Sequence, residues 1–94
     1  MVGVSCQADG ESWVCRVTVD HGGGQSVHTV TVTGADLDRW AEGKGRHDAE
    51  ELVARSFEFL LEREPAASIL RRFDLSMIRS YFPAYDRQFR RRID

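Results

Sequence analysis

Apolar positions recur at about 100° per residue from Asp48 to Glu64, DAEELVARSFEFLLERE, and the rest of the chain is read around this stretch. Ala49, Leu52, Val53, Ser56, Phe57, Leu60 and Leu61 fall on one face of a helix, and Phe59 lands beside Leu52 to widen it. An apolar sector covering more than half the cylinder needs cover on two sides. The helix is therefore expected between a sheet and other helices. Asp48 is placed to cap the first turn, with Glu51 at capping-box spacing, and Glu51 and Arg55 stand in the favourable i, i+4 order. Pro65 opposes any continuation.

Upstream the period changes to two. Val2 to Gln7 reads as a short strand, and Asp9-Gly10 is a hairpin signal. In Ser12 to Asp20, Trp13, Cys15, Val17 and Val19 share one face, with Ser12, Arg16, Thr18 and Asp20 on the other and Val14 as the exception. The glycines at 22 to 24 form a turn into a third strand, Val27 to Thr33, on which His28, Val30 and Val32 oppose the threonines. Gly34 to Glu42 reads as a short helix, with Thr33 and Asp36 at capping-box spacing and Gly43 as its stop. After Pro65, Ala66 to Phe73 reads as a helix with Ile69, Leu70 and Phe73 inward. Asp74 then caps another, which carries Leu75, Ile78 and Phe82 and is closed by Pro83. Asp86 to Ile93 is a frayed helix or a basic tail. The pattern predicts one α+β domain over residues 1–94: a three-stranded antiparallel β-meander, a short helix, a long central helix, and short C-terminal helices packed on one face.

The strands followed by a long helix with Asp48 and Glu50-Glu51 at its start faintly resemble the topology of HicB-type antitoxins. The phrase SFEFLLEREPAASILRRFDLSMIRSYFPAY, residues 56 to 85, resembles a segment of a family of small uncharacterised bacterial proteins. Neither likeness implies an activity.

Ninety-four residues bury only roughly 60 to 65% of the unfolded chain's surface, so the loss of one large core side chain should be serious. No stretch is long and apolar enough for a membrane span, and the N-terminus lacks a charged n-region and a long apolar h-region, so a cytoplasmic protein is expected. Arg outnumbers Lys twelve to one and Asn is absent, as in proteins of high-GC bacterial genomes, which weakens arguments from arginine alone. Residues 1–64 hold 6 Lys/Arg against 12 Asp/Glu, whereas residues 65–94 hold 7 against 3, so the last third is the basic part of a chain of net charge -2.

No residue set reads as a catalytic, cofactor or metal site. His21 sits in a glycine turn, His47 in a linker and His28 on a strand at the sheet margin, with no metal-ligand spacing among them. A small enzyme working at the His21 and His28 hairpin is the remotest reading. The glycine run lacks the following lysine and helix of a phosphate loop. If residues 9 to 12 form the turn, Cys6 and Cys15 lie opposite each other, whereas a two-residue Asp9-Gly10 loop pairs Cys6 with Trp13. In a reducing cytoplasm the preferred form is two buried free thiols. The candidate binding surface is C-terminal: Tyr81, Tyr85 and Phe89 interleaved with Arg87, Arg90, Arg91 and Arg92. Aromatic and guanidinium groups together suit a protein interface, and they also suit stacking and phosphate contact on nucleic acid. The alternative is that one tyrosine and Phe82 close the core while the arginines are solvated. A non-enzymatic interaction or regulatory module follows, with a protein partner, a second copy of the chain or nucleic acid as its target.

Overall fold

The computed structural model describes residues 1–90. β1 (Val2–Asp9), β2 (Ser12–His21) and β3 (Gly24–Val32) form an antiparallel meander, followed by helices α1 (Gly34–Trp40) and α2 (Arg46–Leu61). A single 3-10 turn, Ala66–Ser68, leads to β4 (Arg72–Asp74), and α3 (Met77–Tyr81) and α4 (Ala84–Phe89) complete the domain. The sheet is four-stranded in the order β1-β2-β3-β4, and β4 runs parallel to β3.

The meander follows the period-two pattern. Cys15, Val17 and Val19 on β2 and His28, Val30 and Val32 on β3 are buried on one face, while Arg16 and the threonines occupy the other. Gly10, at φ +62°, takes the left-handed conformation that the first hairpin needs. Asp9 pairs with Ser12 and Cys6 with Cys15. That register corrects the expectation of free thiols. Cys6 and Cys15 form a buried disulfide, because facing positions on the core side of adjacent strands bring their sulfurs together.

α2 lies where its wide apolar sector requires. Phe57 faces the sheet, with its ring 5.3 Å from His28 and 6.1 Å from Phe73, while Phe59 faces the short helices, 5.4 Å from Tyr85 and 5.8 Å from Phe89. Its start differs from the expectation. Gly45 is the N-cap residue, and Asp48, three positions on, accepts from the Gly45 N–H at 3.0 Å. A Cβ at Gly43 would collide with the Asp48 carboxylate, so the linker glycine makes room for this cap. At α1 the expected capping box is complete: Thr33 Oγ1 accepts from Asp36 N–H at 3.1 Å, and Asp36 Oδ2 accepts from Thr33 N–H at 3.0 Å.

The main departure lies in residues 66–74. The expected helix from Ala66 to Phe73 is replaced by the short turn and by β4. β3 would otherwise leave a row of unpaired backbone groups beside the core. Arg71 and Leu75 satisfy part of that row, with Thr29 N–H to Arg71 O at 2.7 Å and Leu75 N–H to Thr31 O at 3.0 Å. Phe73, between them, enters the core beside Val30. Tertiary pairing outweighs local helix preference here.

Candidate functional site

The 66–70 segment and α3 enclose a well-defined concavity. It is an apolar groove of about 260 Å³ lined by Leu60, Ile69, Leu70, Phe73, Met77, Ile78, Tyr81 and Phe82, with Ser68 and Glu64 as its polar members. Its walls follow from the chain. Pro65 leaves α2 without a continuation, and the 3-10 turn redirects the backbone. The His28 ring then fixes the far wall. A carbonyl can only accept, so Nδ1 carries the proton that it donates to Leu70 O at 2.8 Å, and Nε2 faces the Ser26 hydroxyl at 3.0 Å. This bond holds the Leu70 backbone down on the sheet. The Leu70 side chain, 50% exposed, and Tyr81, 66% exposed, both line the groove at its open side. The other wall is α3, where Met77, Ile78 and Tyr81 lie on one side at i, i+1 and i+4.

The residues expected to form a C-terminal binding surface do not stay together. Tyr81 is on the groove rim. Tyr85 is fully buried, which removes it from any surface, and its hydroxyl meets Ser56 Oγ at 2.7 Å. Ser56 donates its own proton to the Leu52 carbonyl at 2.7 Å, so the phenol is the donor to Ser56. Burial pushes the Tyr85 phenol well above its ordinary value, against a smaller opposing effect of the Ser56 bond. Phe89 is also buried, stacked on Tyr85 with ring centroids 4.3 Å apart. Helix packing brings both aromatic rings inward because i, i+4 spacing puts them on the same face of α4.

Arg87 is exposed, and Arg90 reaches Asp86 at 3.3 Å. Arg91 and Arg92 lie outside the described residues. Other arginines cover core rings: Arg63 lies over Phe59, Arg55 over Phe89, and Arg39 and Arg79 both lie against Trp40. His28, expected at the sheet margin, is 1% exposed with both ring nitrogens engaged, so its role is to hold β3 and the groove wall together.

Leu70 and Met77 are groove residues that the sequence pattern did not single out as functional. Leu70 was legible only as an inward helix residue. Its exposure depends on the segment being extended. No family model, curated protein or solved structure matches this chain. Among the described residues, no helix is long and apolar enough to cross a membrane.

Proposed function

We propose that the protein is a small non-enzymatic interaction module that binds a partner protein through the groove between the 66–70 segment and α3. The observation that carries this reading is the pairing of an apolar concavity with two large, exposed apolar side chains, Leu70 and Tyr81, among the residues that line it. Small monomeric domains seldom leave such groups in one patch without using it, and tyrosine is among the residues that concentrate binding energy at interfaces. Size favours a protein over a small molecule. Pockets that enclose a drug-sized ligand run from about 300 to 1,000 Å³. A groove of 260 Å³ suits one or two anchoring side chains of a larger partner.

The arginine-rich end offers less to a nucleic-acid reading, since Arg79 lies against the Trp40 ring and Arg90 is paired with Asp86. The compartment is tied to the Cys6–Cys15 bond. Disulfides persist in oxidising surroundings, so a cytoplasmic setting would require the thiol form.

The test is affinity capture from the protein's own cells with wild type, Leu70→Asp and Tyr81→Asp. Both positions are exposed enough to accept a charge without unfolding, and thermal denaturation checks that they do. A partner retained by wild type and lost by both variants at unchanged Tm is the expected result. Identical capture profiles would remove the groove from the binding surface.

A further inference from the structure

The sheet ends in two edge strands, and they differ in how they are covered. On β1 the outward-pointing N–H of Cys6 donates to Glu50 Oε2 at 2.9 Å, so α2 places a carboxylate across that edge. On β4 the edge is open. The register sets Thr29 against Arg72 and Thr31 against Asp74. In a parallel ladder each of those threonines bonds to the residues flanking its partner, as the Thr29 to Arg71 and Leu75 to Thr31 bonds show. The N–H and C=O groups of Arg72 and Asp74 therefore point away from β3. Both residues are exposed, and among the described residues these backbone groups have no hydrogen-bond partner. Phe73 lies between them with its side chain lining the groove. An unpaired strand edge and an apolar groove thus share one border.

We propose that the partner of this groove is an extended peptide segment that adds to β4 as a fifth strand and sets an apolar side chain into the groove beside Phe73. The inference rests on the groove reading above and names the binding mode. In strand addition the backbone bonds provide affinity, and pockets that receive alternate side chains provide specificity. An added strand lies about 4.8 Å beyond β4, with every second side chain on the core side of the sheet. That is the side on which Leu70, Phe73, Met77 and Tyr81 form the groove. Charge narrows the peptide further. Glu64 is the only charged side chain lining the groove, and among the described residues it forms no ion pair, so the segment carries a Lys or Arg near its apolar anchor. The free edge is three residues long and bears charged side chains, which limits indiscriminate pairing while leaving room for a short segment.

The probe is a displayed library of random peptides of strand length, about six residues, selected on the full chain and synthesised with and without N-methyl groups at alternate positions. Three results together support the proposal. Selected peptides share a bulky apolar residue with a nearby Lys or Arg. N-methylation on the protein-facing edge weakens binding about tenfold per blocked bond, while methylation on the outer edge does not. The Arg72 and Asp74 amides become protected from hydrogen exchange when peptide is bound. Selected peptides that lose affinity with Leu70→Asp but tolerate N-methylation and leave those amides unprotected would overturn strand addition and keep the groove. A library that yields no binder, or only binders indifferent to Leu70→Asp, would overturn both. Self-association of the protein through β4 at high concentration, seen by sedimentation, would replace the heterologous peptide with a second copy.

Discussion

The indole N–H of Trp40 donates to Asp86 Oδ1 at 3.0 Å, and this bond ties α1 to α4. Arg90 and Arg39 add longer contacts to the same carboxylate, at 3.3 and 3.6 Å. The Trp40 bond is the main reason that the Asp86 carboxyl is held below the usual carboxylate range; the two guanidiniums act in the same direction and partial burial opposes them. Asp86 therefore belongs to the fold, as does Phe89 one turn later, and residues 86–90 are not a detachable tail.

Truncation after Tyr85 is expected to destabilise the domain severely, because it removes both the acceptor for Trp40 and the ring stacked on Tyr85. Loss of a buried Phe side chain alone costs about 3 to 5 kcal/mol. A truncated chain with the denaturation midpoint of the full chain would show that α4 contributes nothing.

Asp86→Asn gives a pH-dependent version of the same test. A carboxylate whose folded pKa is depressed contributes stability above its unfolded value, about 3.9, and loses it as pH falls through the folded value. Asn keeps an acceptor for the indole but no charge. The variant should be less stable than wild type at neutral pH, and the gap should close as pH is lowered into the acid range. A gap independent of pH would mean that the charge is immaterial and only the acceptor matters.

His28→Leu tests the groove wall. Leu fills part of the space of the ring but leaves the part-buried Leu70 carbonyl without its donor, which costs about 1 kcal/mol. Hydrogen exchange should accelerate from Leu70 to Leu75 more than in β1 or β2. Uniform acceleration across the sheet would show that His28 supports the core in general and not this segment.

Much of this architecture was legible because single-element signals dominate it. The wide apolar sector of α2, with Phe57 and Phe59 on different flanks, needs no partner to be read, and the Thr33 and Asp36 capping box is local. What was not legible depends on partners distant in the chain. Leu70 and Phe73 look inward at helical spacing, and only the unpaired edge of β3 draws their segment into a strand. Tyr85 and Phe89 sit among arginines and read as surface, yet Ser56, twenty-nine residues before Tyr85, and Phe59 supply the buried surroundings they enter. Whether the cysteines meet turned on the hairpin register, which the sequence left open between a loop at Asp9-Gly10 and one at residues 9 to 12; the turn at Gly10–Glu11 pairs Cys6 with Cys15.

Tyr85→Phe should change the alkaline limb of the stability profile. A phenol whose folded pKa is raised contributes stability that is fully present below the unfolded value, about 10, and declines as pH rises through the folded value. Wild-type protein should therefore lose stability as pH climbs beyond that point, whereas the Phe variant, which has no proton to lose there, should lose less. At neutral pH the variant also leaves Ser56 Oγ without its donor, a cost of about 1 kcal/mol. Parallel alkaline limbs for the two proteins would place the sensitivity elsewhere.

The Cys6–Cys15 bond closes a loop with a sequence separation of 9 between strands β1 and β2. Constraining so short a loop in the unfolded chain stabilises the native state by about 2.5 to 3 kcal/mol on a chain-entropy estimate. Both sulfurs are buried, so a mild reductant should act slowly on the folded protein and quickly once it unfolds. The expected result is a lower denaturation midpoint when unfolding is measured with a thiol reductant, with no such shift in the double variant Cys6→Ala and Cys15→Ala. Exchange should then rise first in β1, which is paired with β2 along one side and held on its other edge by the Glu50 bond to Cys6 N–H. Groove binding should persist in the reduced protein, because β4 and α3 lie at the opposite end of the strand order. Loss of groove binding on reduction, at a temperature where the domain remains folded, would show that the two edges of the sheet are coupled.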